Sequence, residues 1–184
     1  MNSGQVKTVD VKEESRWDFC IRVAKVTLDR FQQEQQRVSI PVPAEEIAEW
    51  LGFRVVLLTT VPDDFSGLVS LEDHLIGVNR NHHKHRCRFS IGHEIAHVLL
   101  GHPAEGISFR REIRLYDQEA DLCASELLIP EAILVPALQR TGNIRVLASA
   151  FLVSPEAMER RLQRMVRVSG PDLRGTPRPH NSDL

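Results

Sequence analysis

RFSIGHEIAHVLLGH, residues 88–102, decides how the rest of this 184-residue chain is read. Phe89, Ile91, Ile95, Ala96, Val98, Leu99 and Leu100 make it a mostly apolar helix, interrupted by His93, Glu94 and His97 in the order HExxH. At about 3.6 residues per turn the two histidines lie on one face, about 6 Å apart along the axis. Their ring nitrogens can then meet one zinc ion through bonds of about 2.0–2.1 Å. Glu94 projects from an adjacent direction, where a carboxylate can take a proton from a water whose pKa the zinc lowers to about 7. Three polar side chains on such a helix are costly to bury without a shared partner. The rival reading has each histidine exposed or separately hydrogen-bonded.

A hydrolytic zinc site needs a third protein ligand and an open position for water. His102 is the first candidate along the chain, but it follows Gly101, which ends the helix, and suits a charge partner for the helix C-terminus. The alternative is a carboxylate from a helix that packs back across the first. YDQEADLCASELLIP supplies such a helix, expected over about Tyr116 to Leu128 and closed by Pro130. Its packing face is Ala120, Leu122, Cys123, Leu127 and Leu128. Asp117, Glu119, Asp121 and Glu126 all offer carboxylates, and spacing alone leaves the choice among them open.

Working outward, Trp17, Cys20, Ile21, Ala24, Leu28 and Phe31 recur at helical spacing and predict a helix from Trp17 to about Gln36. PAEEIAEWLG predicts a short helix with Pro43 near its start and Gly52 at its end. FRVVLLTT reads as a buried strand, and GLVSL and LIGVN as two short strands in a hairpin or tight meander. NHHKHR reads as a polar connector to the HExxH helix. After Pro130 three more helices are expected, the last opened by Ser154 as N-cap. The order is that of an α+β protein. It divides into a leader and helix (1–37), a core (38–130), a helical C-terminal segment (131–168) and a Pro- and Gly-rich tail (169–184) expected to be disordered.

Composition removes several classes. Hydrophobic content of 42% supports a real core, and charged content of 26% is ordinary for a globular protein. A net charge of -2 gives no broad basic field for nucleic acid. No apolar run approaches the roughly 18 residues that span a bilayer, and the first residues lack the apolar region of a signal peptide. Cys20, Cys87 and Cys123 are odd in number and widely spaced, which predicts three reduced, mostly buried thiols and a cytoplasmic location.

RFSIGHEIAHVLLGH followed by QEADLCASELLIP resembles the ImmA/IrrE family of metallopeptidases, which pair an HExxH helix with an E-A-N/D-x-x-A-x-x-L-L-x-P helix. AEEIAEWLGFRVV, GLVSLEDHLIGVN and FLVSPEAMERRLQ are similar to other segments of the family, so that about residues 38–166 are covered. The resemblance implies a zincin-like core: a small, mostly antiparallel sheet, the HExxH helix and a return helix. It implies that His93 and His97 bind zinc, that Glu94 is the general base and that Glu119 is the third ligand, in the gluzincin manner. In one respect the chain departs from the thermolysin pattern, since Cys123 stands where an aspartate would follow the ligand glutamate by four residues. Asp121 or a backbone carbonyl is then the candidate to orient a ligand histidine. Tyr116 and the histidines of NHHKH are candidates to stabilise an oxyanion.

The function this implies is a zinc endopeptidase of narrow specificity that cleaves a transcriptional regulator, an Xre-type helix-turn-helix repressor. A peptide substrate would lie extended along GLVSL or LIGVN. The alternative is a regulatory module that keeps the zinc fold but works by contact with protein or DNA. SPEAMERRLQRMVRV, arginine-rich, would then be half of a helix-turn-helix or a docking segment, against the plainer reading of one solvated helix face.

Overall fold

The computed structural model describes residues 14–103 and 110–168. The leader before residue 14, the loop after Pro103 and the tail from residue 169, for which the sequence predicts irregular chain, lie outside the described residues. Within them the order is α1 (Arg16–Gln35), α2 (Ala44–Trp50), β1 (Arg54–Leu58), β2 (Gly67–Ser70), β3 (Leu75–Asn79), α3 (Lys84–Leu100), α4 (Arg110–Leu128), α5 (Glu131–Arg140), α6 (Ile144–Phe151) and α7 (Pro155–Val168). This is the α+β arrangement expected.

The sheet has the order β1-β3-β2. β2 and β3 pair antiparallel, with Gly67 opposite Val78, as the meander predicts. β1 instead pairs parallel with β3, Val55 opposite Ile76, so the sheet is mixed rather than mostly antiparallel. The chain between Leu58 and Gly67 is too long for a tight hairpin, and it carries β2 across to the far edge of β3. Central β3 is the buried strand, with Ile76 and Val78 fully enclosed.

Two helices differ from expectation at their starts. α3 begins at Lys84, inside the expected polar connector, because the His83 imidazole takes the capping role and accepts from the backbone N–H of His85. α4 begins at Arg110, six residues before Tyr116, in a run of good helix formers, RREIRL. Two caps are those read from the sequence. Gly101 closes α3 in the left-handed conformation, and Ser154 Oγ accepts from the Ala157 N–H at the head of α7.

The HExxH helix and its return helix pack closely because of Gly92. A Cβ there would stand 2.9 Å from Leu128 Cδ1 and 3.6 Å from Ala124 Cβ, so a side chain would push α3 and α4 apart. On the other flank α1 lays Cys20, Ala24, Leu28 and Phe31 against α4 and α3, and Phe31 meets Trp50 of α2 edge to face at 5.8 Å. One continuous core results, running from Cys20 through Ile47, Ile95 and Leu127 to Met158 of α7. Each fully buried Leu, Ile or Phe contributes about 1.5–3 kcal/mol to it. That core fixes α3 and α4 as a rigid pair on which a site can be built.

Candidate metal centre

His93 and His97 lie one turn apart on α3, and their Nε2 atoms face each other at 3.0 Å. Asp117 of α4 brings Oδ1 to 3.9 Å from both. These three donor atoms all fall within 4.8 Å of one another. Each imidazole is held from behind. His93 Nδ1 lies 2.9 Å from Asp121 Oδ1, a carboxylate that can only accept, so Nδ1 carries the proton and Nε2 presents its lone pair. His97 Nδ1 lies 3.0 Å from His102 Nδ1, and His102 Nε2 lies 3.1 Å from Glu119 Oε2. With both Nδ1 atoms donating, two bare lone pairs would face each other across 3.0 Å beside an aspartate. A proton or a metal cation between them relieves that repulsion, and two nitrogens with one carboxylate oxygen are a donor set that zinc takes. The residues present therefore fit a divalent metal.

The local electrostatics agree. Burial, helped by the neighbouring His93 and His102, pushes the His97 imidazole down to about 4, which keeps it neutral as a ligand must be. Burial also pulls His93 down, but the hydrogen bond and charge of Asp121 outweigh it, and the net direction is up. The acidic groups around His93 thus favour positive charge on its ring. Glu94, 9% exposed, is pushed up to about 7 by burial, against the lowering effect of His93. A carboxylate poised near neutrality is suited to accept and return a proton.

Glu119, which the resemblance makes the third ligand, does not join this group. Its carboxylate is buried on the opposite side of α4, where Arg16 Nε donates to Oε1 at 2.5 Å and His102 Nε2 meets Oε2. Helical geometry is the reason: residues two apart point about 200° apart, so Asp117 and Glu119 cannot both face α3's histidines. The sequence held the signal. Asp117 and Asp121 are spaced by four, the interval whose absence after Glu119 marked the departure from the thermolysin pattern. Asp121 does hydrogen-bond His93, a candidate ligand, while Tyr116 packs tilted against His102 with ring centroids 4.6 Å apart, on Glu119's side of the helix.

The centre opens into a cleft of about 990 Å³. Its floor is His93, Glu94 and His97, and β2 forms one wall at Gly67. A Cβ on Gly67 would meet Glu94 Oε1 at 2.9 Å and the Gly77 carbonyl at 3.2 Å, so glycine here lets the strand run beside Glu94 without displacing its carboxylate. His83, His85 and Arg86 stand at the head of α3, and α7 closes the far side with Ala157, Arg160 and Arg164.

An HExxH helix, a return helix carrying an acidic donor and a small sheet beside the glutamate together define a metallopeptidase-type fold. The match to known families agrees: residues 49–163, more than half of the chain, fit the Peptidase M78 family, described as the IrrE N-terminal-like domain, and the chain belongs to that family. Among solved structures it is similar to a Mycobacterium tuberculosis transcriptional regulator, at 16% identity and a TM-score of 0.59. That likeness covers 89% of this chain but only 55% of the regulator, and at this identity it speaks for the fold. No curated protein matches the chain. Among the described residues no helix is long and apolar enough to cross a membrane.

Proposed function

We propose that this protein is a zinc-dependent endopeptidase of narrow specificity, acting in the cytoplasm on a transcriptional regulator of the Xre helix-turn-helix type. The observation that carries the reading is the convergence of His93 Nε2, His97 Nε2 and Asp117 Oδ1 at the floor of a cleft that also holds a buried Glu94. His93, His97 and Asp117 would hold the ion; the third-ligand role moves from Glu119 to Asp117. When bound, zinc supplies a Lewis acid that polarises the peptide carbonyl and acidifies water.

The chain's own residues do the rest. The exposed edge of β2 orients an extended substrate by main-chain hydrogen bonds, antiparallel or parallel to Gly67–Ser70. Glu94 takes the proton of the attacking water and returns it to the amine nitrogen that leaves. His83 and His85, on the cleft wall, are placed to meet charge developing on the carbonyl oxygen.

A regulator as substrate is what the resemblance of the two helices to the ImmA/IrrE family implies. One solved protein that shares the fold is itself described as a transcriptional regulator, which suits the second reading, a regulatory binding module with little hydrolysis. A base beside the metal favours the enzyme, because a purely structural zinc site has no use for one. Co-expression with an Xre-type helix-turn-helix repressor decides. The expected outcome is a truncated repressor that disappears with Glu94→Gln while zinc content, read by elemental analysis, is unchanged. A biological effect that survives Glu94→Gln hands the function to binding.

A further inference from the structure

Helix α7 carries three described arginines in unlike situations. Arg161 is buried, donating to the Ile129 carbonyl and to Glu126, and so ties the helix to the core. Arg160 and Arg164, one turn apart, face the other way and line the metal cleft. Arg164 is half-buried and makes no hydrogen bond among the described residues. Burial pushes its guanidinium down from the usual arginine range; Asp121 pulls it up, while Arg160 and Arg161 push it further down. Arg160 is exposed and its Nε donates to the Glu156 carbonyl at 3.4 Å, but a half-buried Arg164 guanidinium next to a second positive charge costs stability unless an anion meets it.

The cleft's own carboxylates fill that role only in part: Asp121 acts on Arg164 through its charge, but forms no hydrogen bond with it among the described residues. Asp121 is engaged by His93 Nδ1, Asp117 is aimed at both Nε2 atoms, and Glu94 lies beneath β2. Asp64 lines the cleft with Gly67 and forms no ion pair among the described residues. Across from α7, Arg86 hydrogen-bonds Ser66 Oγ at 3.0 Å and adds a third cation, beside His83 and His85.

We propose that Arg164 and Arg160 form an anion-accepting subsite that selects peptides bearing a glutamate or aspartate side chain close to the cleaved bond. The proposal rests on the reading of the cleft as a peptidase site and names its preferred substrate class. Planar guanidinium forks match a carboxylate in two-point contact, which fixes register along the cleft as well as adding affinity. The cleft volume admits several residues of extended chain. DNA phosphate is the other anion with the right charge. The arginines open into a concave cleft that ends at Glu94, however, and the chain's net charge of -2 offers no wider basic face for a duplex.

The test uses the full chain, zinc-loaded and carrying Glu94→Gln to stop turnover. Fluorescence polarisation follows short labelled peptides of alanine and serine with one glutamate, moved position by position, against the same set with glutamine. At the best position the glutamate peptide is expected to bind about tenfold more tightly, the difference a charge-assisted hydrogen-bond pair makes. Arg160→Gln with Arg164→Gln should reduce that preference to less than about twofold at unchanged melting temperature, while Arg164→Lys keeps part of it, having charge without the fork. Equal binding of the two peptide sets, or no binding of either, overturns the subsite. So does a labelled DNA duplex whose binding alone depends on the two arginines. Hydrolysis of the same peptides by the native chain separates the two readings. A glutamate preference without hydrolysis keeps the subsite and sinks the peptidase; hydrolysis without preference does the reverse.

Discussion

Nδ1 of His97 lies 3.0 Å from Nδ1 of His102, and this pairing gives Glu119 its place in the molecule. His102 hands the contact on to Glu119, and Arg16 of α1 clamps Glu119 from outside. His97, a candidate ligand, is thereby fixed in tautomer and ring orientation by partners from two other segments. Such partners typically tune metal affinity by about 10–100-fold. His102→Ala and Glu119→Gln should each weaken zinc binding by about that factor, measured by chelator competition. Asp117→Asn, removing the charge of the proposed third ligand, should weaken it more than either. A larger loss from Glu119→Gln than from Asp117→Asn would return Glu119 to the metal.

The contrast shows where sequence reading stops. Periodicity located α3 and α4 and the HExxH spacing located His93, Glu94 and His97, because both depend on intervals within one element. Which carboxylate lies beside the two histidines depends on how one helix is rotated about its axis against another; Asp117 faces them here, while Glu119 meets Arg16 and His102. β1's parallel pairing was hidden for a like reason: strand order is settled by the length of a loop, not by the strand's own residues. Residues 154–168 read as a solvated face with surplus arginine, yet Arg161 is 4% exposed and Arg164 looks into the cleft. Burial of a charge is set by its partners, and Glu126, 35 residues earlier in the chain, gives no local sign of being one.

Gly67 provides a test of Glu94 that leaves Glu94 itself intact. Gly67→Ala places a methyl group 2.9 Å from Glu94 Oε1, the movable end of a side chain, and 3.2 Å from the Gly77 carbonyl. The carboxylate has to swing aside, while the histidines and Asp117 keep their places. Zinc content should therefore stay unchanged, and the rate of substrate cleavage should fall by about 10²–10⁴-fold, the usual contribution of a general base. An unaltered rate would mean that Glu94 does not act from the position seen beside β2.

Burial pushes the Cys20 thiol up to about 11, with Glu119 adding to the effect, and the Cys123 thiol up to about 12. At pH 8 each is then thiolate in about one part in a thousand or less, and the thiolate is the reactive form. Cys87 is only partly buried, its Sγ 3.2 Å from the carbonyls of Asn79 and His82. Iodoacetamide at pH 8 should add at most one adduct to the native protein, at Cys87, and three in denaturant, counted by mass spectrometry. A native adduct at Cys20 would show that α1 lifts from α4 far more readily than its packed face implies.

Arg161 and Glu126 form a buried ion pair that pins α7 to the end of α4, and Glu126 also caps the Glu131 N–H at 3.2 Å. Removing one partner of such a pair typically costs about 3–5 kcal/mol, because the other charge stays behind in the core. Arg161→Met should therefore lower the melting temperature by about 10 °C, at the 2–4 °C per kcal/mol of a chain this size. The loss should also depend on pH, with a definite sign. Burial already raises the Glu126 carboxyl above its usual 4.5, and the nearby Arg161 charge opposes the rise. Without Arg161 the folded-state pKa climbs further above the unfolded one. The folded variant then keeps its proton, and most of its stability, below about pH 4.5, and loses that stability as pH rises through the folded value. The gap between variant and parent should accordingly be wider at pH 8 than at pH 5 in paired thermal melts. A gap that narrows as the pH rises would mean that Glu126 stays charged and solvated once Arg161 is gone, and that α7 is held to the core by its apolar face alone.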